Sequence, residues 1–244
     1  MFAFIFAALS AFLIAGYLTG GKSNGERFFL TAILSFVILL FSGFLLNFIH
    51  QIGSVQLVIL NALMFVGIVY KQKKFEFAKP EFRIADYLII AVFLFGLYLR
   101  AAPIITDPMP FGSYDLIQHY AMSMETYERG YVPNEFPKYM NWYGVAQDNI
   151  DGVWIYPPGT AIMMAVLKYT FGLPWPATLH FFSAILDAMT ILVIYLISYE
   201  LTKSRAAGLM SGFLFSVSSK NLFSLYFGQL AYELGIMLAT LSVL

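Results

Sequence analysis

The sequence predicts an all-α protein, a polytopic bundle of transmembrane helices, and composition is the first of three observations behind this prediction. Hydrophobic residues make up 60% of the 244 residues and charged residues only 11%. A soluble domain usually carries about 25% charged residues, so this composition suits a lipid solvent. The formal net charge is zero and cysteine is absent. These features argue against a general attraction to nucleic acid and exclude disulfides and thiolate chemistry.

The second observation is the length of the apolar runs. Runs of about 18 residues can cross roughly 30 Å of hydrocarbon, and such runs recur here, which predicts about seven to eight spans. The last run has no polar flank, so we expect the chain to continue in a longer protein. The candidate spans are Met1–Thr19, Phe28–Ile49, Val55–Tyr70, Ile84–Ala102, Thr160–Phe171, Pro176–Leu201, Ala206–Val217 and Leu222–Leu244.

Basic residues predict the orientation of the first spans. Segment 71–83 is the densest cationic cluster, the loop at 20–27 adds two more cations, and the loop HQIGS between them contains no Lys or Arg. Cytoplasmic loops are enriched in Lys and Arg, so the N-terminus and residue 102 should lie outside. The later topology has two alternatives. Lys203 and Arg205 are external if the run at 160–171 spans the membrane, and cytoplasmic if it does not.

The third observation is a long polar stretch that interrupts the apolar runs. It holds seven of the 14 carboxylates, opposed only by Arg129 and Lys138. Its many tyrosine and tryptophan residues argue against disorder, and a loop of this length is usually functional. We therefore divide the chain into N-terminal transmembrane helices at 1–102, an external acidic and aromatic catalytic loop at 103–158, and further transmembrane helices at 159–244.

One segment of this loop, Tyr114–Gly130, has helical character, with Ser113 as its cap and Gly130 as its stop. Asp115 and His119 are four residues apart and would share a helix face, with Cβ atoms roughly 5–6 Å apart. Near a low-dielectric boundary the carboxylate can act as a general base, and the histidine can orient it, bind an anion or ligate a metal. The plainer alternative is an exposed pair that supports the helix.

Three segments, taken in order, resemble the multi-span glycosyltransferases that use polyprenyl-phosphate sugars, the GT-C superfamily. They read GSYDLIQHYAMSMETYERGYVP at 112–133, WIYPPGTAIMMAVLKYTFGLP at 154–174 and NLFSLYFGQLAYELGIMLATL at 221–241. That superfamily includes oligosaccharyltransferase catalytic subunits, protein O-mannosyltransferases and lipid A aminoarabinose transferases. The resemblance implies a helical membrane enzyme that transfers a sugar to a lipid, glycan or protein acceptor.

The resemblance also implies roles for individual residues. The acidic residue of the superfamily's first external loop corresponds by position to Asp115, which would be the general base beside His119. Four spans precede the loop here, where one is common, and the sequence YDL lacks a second adjacent carboxylate. Metal dependence therefore stays open, with Asp115, Asp107 and His119 as candidate ligands of Mg²⁺ or Mn²⁺. No other cofactor is implied.

A lipid-phosphate donor requires a cation and apolar ring faces near the membrane surface. Arg100, Arg129 and Lys220 are the candidates to balance its phosphate, and Trp154 and Tyr156 are the candidates to bind its sugar. Cations at such positions are more often interfacial anchors, and an aromatic belt at the interface explains the two rings equally well. The expected partners are a polyprenyl-phosphate sugar and the lipids of the cell membrane, with no nucleic acid, and the oligomeric state stays open.

Two other classes of protein compete with this interpretation. A secondary transporter would use the intramembrane carboxylates Asp187 and Glu233 for ion or proton coupling. Such a protein does not require a long external loop, and no inverted repeat is visible. A noncatalytic scaffold subunit would use the aromatic loop to bind partners, but it leaves Asp115 without a purpose.

Overall fold

The computed structural model of the protein describes residues 1–19, 24–72, 82–106, 114–133, 158–218, 238–240 and 242. The described residues form eight long helices and no strand, which confirms the all-α prediction. In chain order the helices are α1 (Phe2–Leu18), α2 (Asn24–Phe48), α3 (Ser54–Gln72), α4 (Ile84–Thr106), α5 (Tyr114–Arg129), α6 (Pro158–Phe171), α7 (Trp175–Thr202) and α8 (Arg205–Ser216).

Four of these helices are long and apolar enough to cross a membrane. They contain the segments Gly25–Phe48, Ser54–Lys71, Ile84–Ala102 and Thr178–Thr202. Helix α1 is apolar too, but it has 17 residues. The chain is therefore a helical membrane protein by length and composition. The described residues do not reach the predicted seven to eight spans, and most of the predicted last span lies outside them.

Helix α3 shows how these helices fit a lipid solvent. Asn61 is fully buried, and Ser42 Oγ of α2 donates a hydrogen bond to its Oδ1 at 3.2 Å. Large apolar residues instead form an exposed stripe, which is the reverse of a surface helix in water. The stripe repeats every three or four positions and consists of Val55, Ile59, Leu63, Val66 and Tyr70, each at least 54% exposed.

Small residues allow the N-terminal helices to approach closely. Helix α1 packs against α2 and α3, and Ala3, Ala7 and Ala11, each four residues apart, are buried. Gly43 of α2 lies so close to α6 that a Cβ atom added to this glycine would be 2.5 Å from Val166 Cγ2, which is too short for a non-bonded contact. Hydrocarbon gives no hydrophobic drive between helices, so van der Waals contact of this kind holds them together.

The helix ends gather at two opposite faces of the bundle. At one face α2, α4 and α8 begin, since Arg205 lies 3.5 Å from carboxylate oxygens of both Glu26 and Asp86. We call this face the basic end. At the other face, the distal end, α5 reaches the connection between α2 and α3, because Ile52 N donates to Gly130 O at 2.7 Å.

Helices α6 and α7 decide between the two predicted topologies. Helix α6 ends at the distal end, where Ser54 Oγ donates to Tyr169 O at 3.3 Å. Helix α7 begins at the same end and runs to the basic end, and it therefore carries Lys203 and Arg205 there. With 14 residues, α6 is about 21 Å long, shorter than roughly 30 Å of hydrocarbon. The structure agrees with the alternative in which the run at 160–171 does not span.

The absence of cysteine makes this arrangement directly testable. We expect single cysteines at Lys71 and Lys203 to react with a membrane-impermeant maleimide from the same side of the membrane. A cysteine at Gln51 should react only from the other side, because Gln51 is exposed at the distal end. The unsubstituted protein is the control for background labelling. Labelling of Lys203→Cys from the side of Gln51→Cys would contradict the topology.

Candidate functional site

Helix α5 carries the predicted catalytic pair, and its C-terminal boundary is confirmed. The helix runs from Tyr114 to Arg129, and Gly130 follows with φ +75, a left-handed conformation that favours glycine. Gly130 N donates to Thr126 O at 2.9 Å, which closes the last turn. The predicted cap, Ser113, lies outside the described residues. Asp115 is in the first turn, but its side chain lies outside the described part of the structure.

Helix α5 is polar and nevertheless buried. His119, Ser123, Glu125 and Thr126 are each at most 1% exposed, while the neighbouring α6 presents an apolar core. Ser123 Oγ donates to His119 O at 2.6 Å. Burying polar groups costs free energy unless they find partners, so a helix of this kind is poorly explained by packing alone.

Burial sets the protonation state of His119. Desolvation lowers the pKa of the imidazole from 6.5 to about 4. At neutral pH the ring is uncharged, so it presents one N–H donor and one nitrogen acceptor. A neutral imidazole can orient a carboxylate or ligate a metal, but it does not balance a phosphate charge. Its predicted place one helical turn after Asp115 agrees with the positioning role.

Glu125 is one of the seven carboxylates of the loop and was not a predicted site residue. It is 1% exposed, and its Oε1 accepts from Arg129 Nε at 2.5 Å. Its other oxygen, Oε2, is buried and has no hydrogen-bond partner in the described part of the chain. Arg129, a predicted phosphate ligand, is 33% exposed and already engaged with this carboxylate. The i,i+4 spacing of Glu125 and Arg129 was the signal in the sequence that could have identified the pair.

Arg100, another predicted phosphate ligand, has a different partner in the structure. It is fully buried, and its Nε donates to Oδ2 of Asp187 in α7. Its Nη1 donates to Gly96 O at 3.0 Å and to Ser216 O at 3.1 Å, where α8 ends. Arg100 Nη2 and Asp187 Oδ1 are buried without hydrogen-bond partners in the described residues. The pair therefore joins three helices inside the bundle.

The ion pair is fully buried inside the bundle. Arg100 lies 16 positions after the first residue of α4 and six before the last, which is about 24 Å and 9 Å along the helix axis. Asp187 lies 12 positions from the start of α7 and 15 from its end, hence about 18 Å and 22 Å from the two faces. A charge at that depth is costly unless paired, and such groups are suspected of function.

The distal end holds an aromatic cluster made of Tyr120, Tyr127, Tyr169 and Trp175. The rings of Tyr127 and Trp175 meet edge to face with centroids 5.5 Å apart, and those of Tyr127 and Tyr169 are 4.3 Å apart. Tyr120 lies 6.2 Å from Trp175. Lys168 Nζ is 5.7 Å from the Trp175 ring and 6.0 Å from the Tyr127 ring, and it donates to Leu173 O.

The remaining predicted site residues lie outside the described part of the chain. Neither the candidate metal ligand Asp107 nor the candidate donor ligands Trp154, Tyr156 and Lys220 are described. The described residues contain no group of three metal-binding side chains. Metal dependence and the donor contacts of these residues therefore stay predictions.

No protein-family model, curated protein or solved structure matches the chain. Helix α5 and the buried ion pair are the two features that packing explains least.

The first prediction for this site concerns His119 and acid. Its folded pKa of about 4 lies below the unfolded value of 6.5, so the folded state binds fewer protons. The free energy of unfolding should fall as pH decreases from 6.5 to about 4, by up to roughly 3 kcal/mol, and should not depend on this group above that range. Melting temperatures of wild type and His119→Gln across this range isolate the effect. Identical pH profiles would contradict it.

The second prediction concerns the buried ion pair. Asp187→Leu leaves the Arg100 guanidinium buried without its counter-ion, which should cost about 3–5 kcal/mol of stability. The double variant Arg100→Met, Asp187→Leu removes both charges and should be more stable than the single variant. Unfolding in detergent measures this. Glu200→Gln is the control, because its pair with Lys203 is exposed and should contribute about 1 kcal/mol or less.

Proposed function

We propose that the protein is a membrane glycosyltransferase that moves a sugar from a polyprenyl-phosphate donor to a lipid, glycan or protein acceptor. The observation that supports this proposal is α5, a polar helix buried at the distal end, which carries His119 and begins with Asp115. If the basic end faces the cytoplasm, this helix lies on the external side of the cell membrane. The proposal includes further spans beyond the four that the described helices supply.

The chemistry assigned to these residues is glycosyl transfer with a general base. Asp115 takes the proton from an acceptor hydroxyl, whose oxygen attacks the anomeric carbon of the sugar. The bond from that carbon to the phosphate oxygen breaks, and the polyprenyl phosphate leaves with the electron pair. The neutral ring of His119 holds the carboxylate in position from one helical turn away. Binding of Mg²⁺ or Mn²⁺ by Asp115, Asp107 and His119 is compatible with the proposal but is not required by it.

The position of the site suits an amphiphilic donor. A polyprenyl chain stays in hydrocarbon while its phosphate and sugar lie at the membrane surface, so the enzyme must meet them at a helix end. The distal end provides that boundary, with the tyrosines and tryptophan of the aromatic cluster around α5 and α6. Aromatic rings with one polar edge are favoured at such interfaces.

One observation favours transport as a second candidate function. Arg100 and Asp187 are buried inside the bundle, where α8 ends after 12 residues and its Ser216 carbonyl accepts from Arg100 Nη1. Secondary transporters place coupling groups near the midplane, beside interrupted helices. Under this alternative, Asp187 would exchange a proton or release Arg100 as substrate passes.

The test of the enzyme proposal is transfer of label from a radiolabelled polyprenyl-phosphate sugar by the protein in membranes. We expect Asp115→Asn to lower the transfer rate by at least about 100-fold, since general base catalysis contributes roughly 10²–10⁴. Glu128→Gln should retain wild-type transfer, because Glu128 is an exposed acidic residue of the same helix. Equal expression and melting temperatures must accompany the comparison.

Two outcomes would contradict the proposal in different ways. Equal transfer by wild type and Asp115→Asn would remove this carboxylate from the mechanism. No transfer by wild type across several donors would exclude the enzyme class tested. An uptake assay would then follow, with wild type and Asp187→Asn reconstituted in liposomes under a pH gradient. It would show whether the substitution abolishes proton-coupled uptake.

A further inference from the structure

Lys168 is a partly buried cation at the distal end that makes no ion pair among the described residues. Arg100, Arg129 and Arg205 each lie within 4 Å of a carboxylate. Arg27, at the basic end, also makes no ion pair within the described part of the chain, and it lies against the Phe12 ring. The acceptor of Lys168 Nζ is the backbone carbonyl of Leu173, just beyond the end of α6. An ammonium has three donors, so this contact leaves hydrogen-bonding capacity unused. Partial burial without a counter-ion is a cost that an anionic ligand would remove.

The surroundings of Lys168 indicate what kind of anion fits. The planes of Tyr127 and Trp175 are 86° apart, so the two rings form a corner next to the ammonium. Both residues are partly exposed and can therefore be reached from outside the bundle. A ring face of this type packs against the C–H face of a sugar, and a lysine ammonium binds phosphate as a point charge. A sugar and a phosphate joined in one molecule would satisfy both groups.

We infer that Lys168, together with Tyr127 and Trp175, binds the phosphate ester of a sugar phosphate at the distal end. This inference rests on the proposed function and extends it, because it assigns the cation that balances the donor phosphate. Arg100, Arg129 and Lys220 were predicted for that role from the sequence. The structure pairs the first two with carboxylates, and Lys220 lies outside the described residues. Lys168 belongs to the same end as α5, since Tyr127 lies on that helix.

A structural role for Lys168 makes a different prediction. A lysine near the last carbonyl groups of α6 stabilises the negative end of the helix dipole, and its contacts with two rings add cation–π attraction. Loss of those contacts lowers stability but does not alter the affinity for a phosphate. Affinity and melting temperature must therefore be measured on the same samples.

The experiment measures binding to the purified protein in uncharged lipid nanodiscs. The probes are a polyprenyl phosphate without sugar, the same lipid phosphate carrying a sugar, and a water-soluble sugar 1-phosphate. We expect Lys168→Gln to weaken binding of the preferred phosphate about tenfold or more, the effect of losing one charge-assisted hydrogen bond. Lys168→Arg should restore affinity to within a few fold. Lys203→Gln, an exposed lysine at the basic end, is the control and should bind like wild type.

The outcomes distinguish a lipid-linked donor, a soluble sugar phosphate and a purely structural role for Lys168. Lys168-dependent binding of the lipid probes identifies a lipid-linked donor, and Lys168-dependent binding of the soluble probe alone identifies a soluble sugar phosphate. Equal affinity of wild type and Lys168→Gln for all probes overturns the inference, and a lower melting temperature with unchanged affinity assigns Lys168 to the end of α6. Binding requires no transfer, so Lys168-dependent binding without any transfer would sink the enzyme proposal and leave this site standing.

Discussion

The constraint on which this structure depends is that hydrocarbon offers no hydrogen bonds, so a buried polar group costs free energy unless it finds a partner inside the protein. Helices satisfy the backbone, and side chains must then be satisfied one by one. Ser42 and Asn61 pair across α2 and α3, and Arg100 pairs through its Nε with one oxygen of Asp187 across α4 and α7. These contacts place specific helices side by side, which apolar packing in lipid does less selectively.

The same constraint explains the division between the two ends. At the basic end, Arg205 lies between Glu26 and Asp86, so one guanidinium ties the first turns of α2, α4 and α8 together. At the distal end, α5 is joined to the connection between α2 and α3 through Ile52 and Gly130. Most of the described ion pairs lie at the two ends of the bundle, and in the pair of Arg100 and Asp187 both side chains are fully buried.

Local features of the chain could be predicted from the sequence, and long-range pairing could not. The length and apolarity of α2, α3, α4 and α7 made them recognisable, and Gly130 marked the end of α5 because only a residue tolerant of positive φ fits there. The partner of Arg100 is 87 residues away, so no spacing rule reveals it. The positive-inside rule favoured a cytoplasmic Lys203 but could not determine whether α6 spans, because that depends on which end of the bundle α6 packs against.

Access from outside the protein distinguishes the two buried polar features of the described chain. A transporter must open its coupling groups to each face in turn, and Arg100 and Asp187 are closed off by α4, α7 and the end of α8. Transfer of a sugar at a membrane surface requires access from one side only. Helix α5 and Lys168 meet that requirement, because they lie at a helix end beside partly exposed aromatic rings. A polar helix buried there keeps His119 neutral near the boundary with water, where a lipid-linked phosphate would arrive. This position supports catalysis at the distal end and gives the interior pair a role in holding helices together.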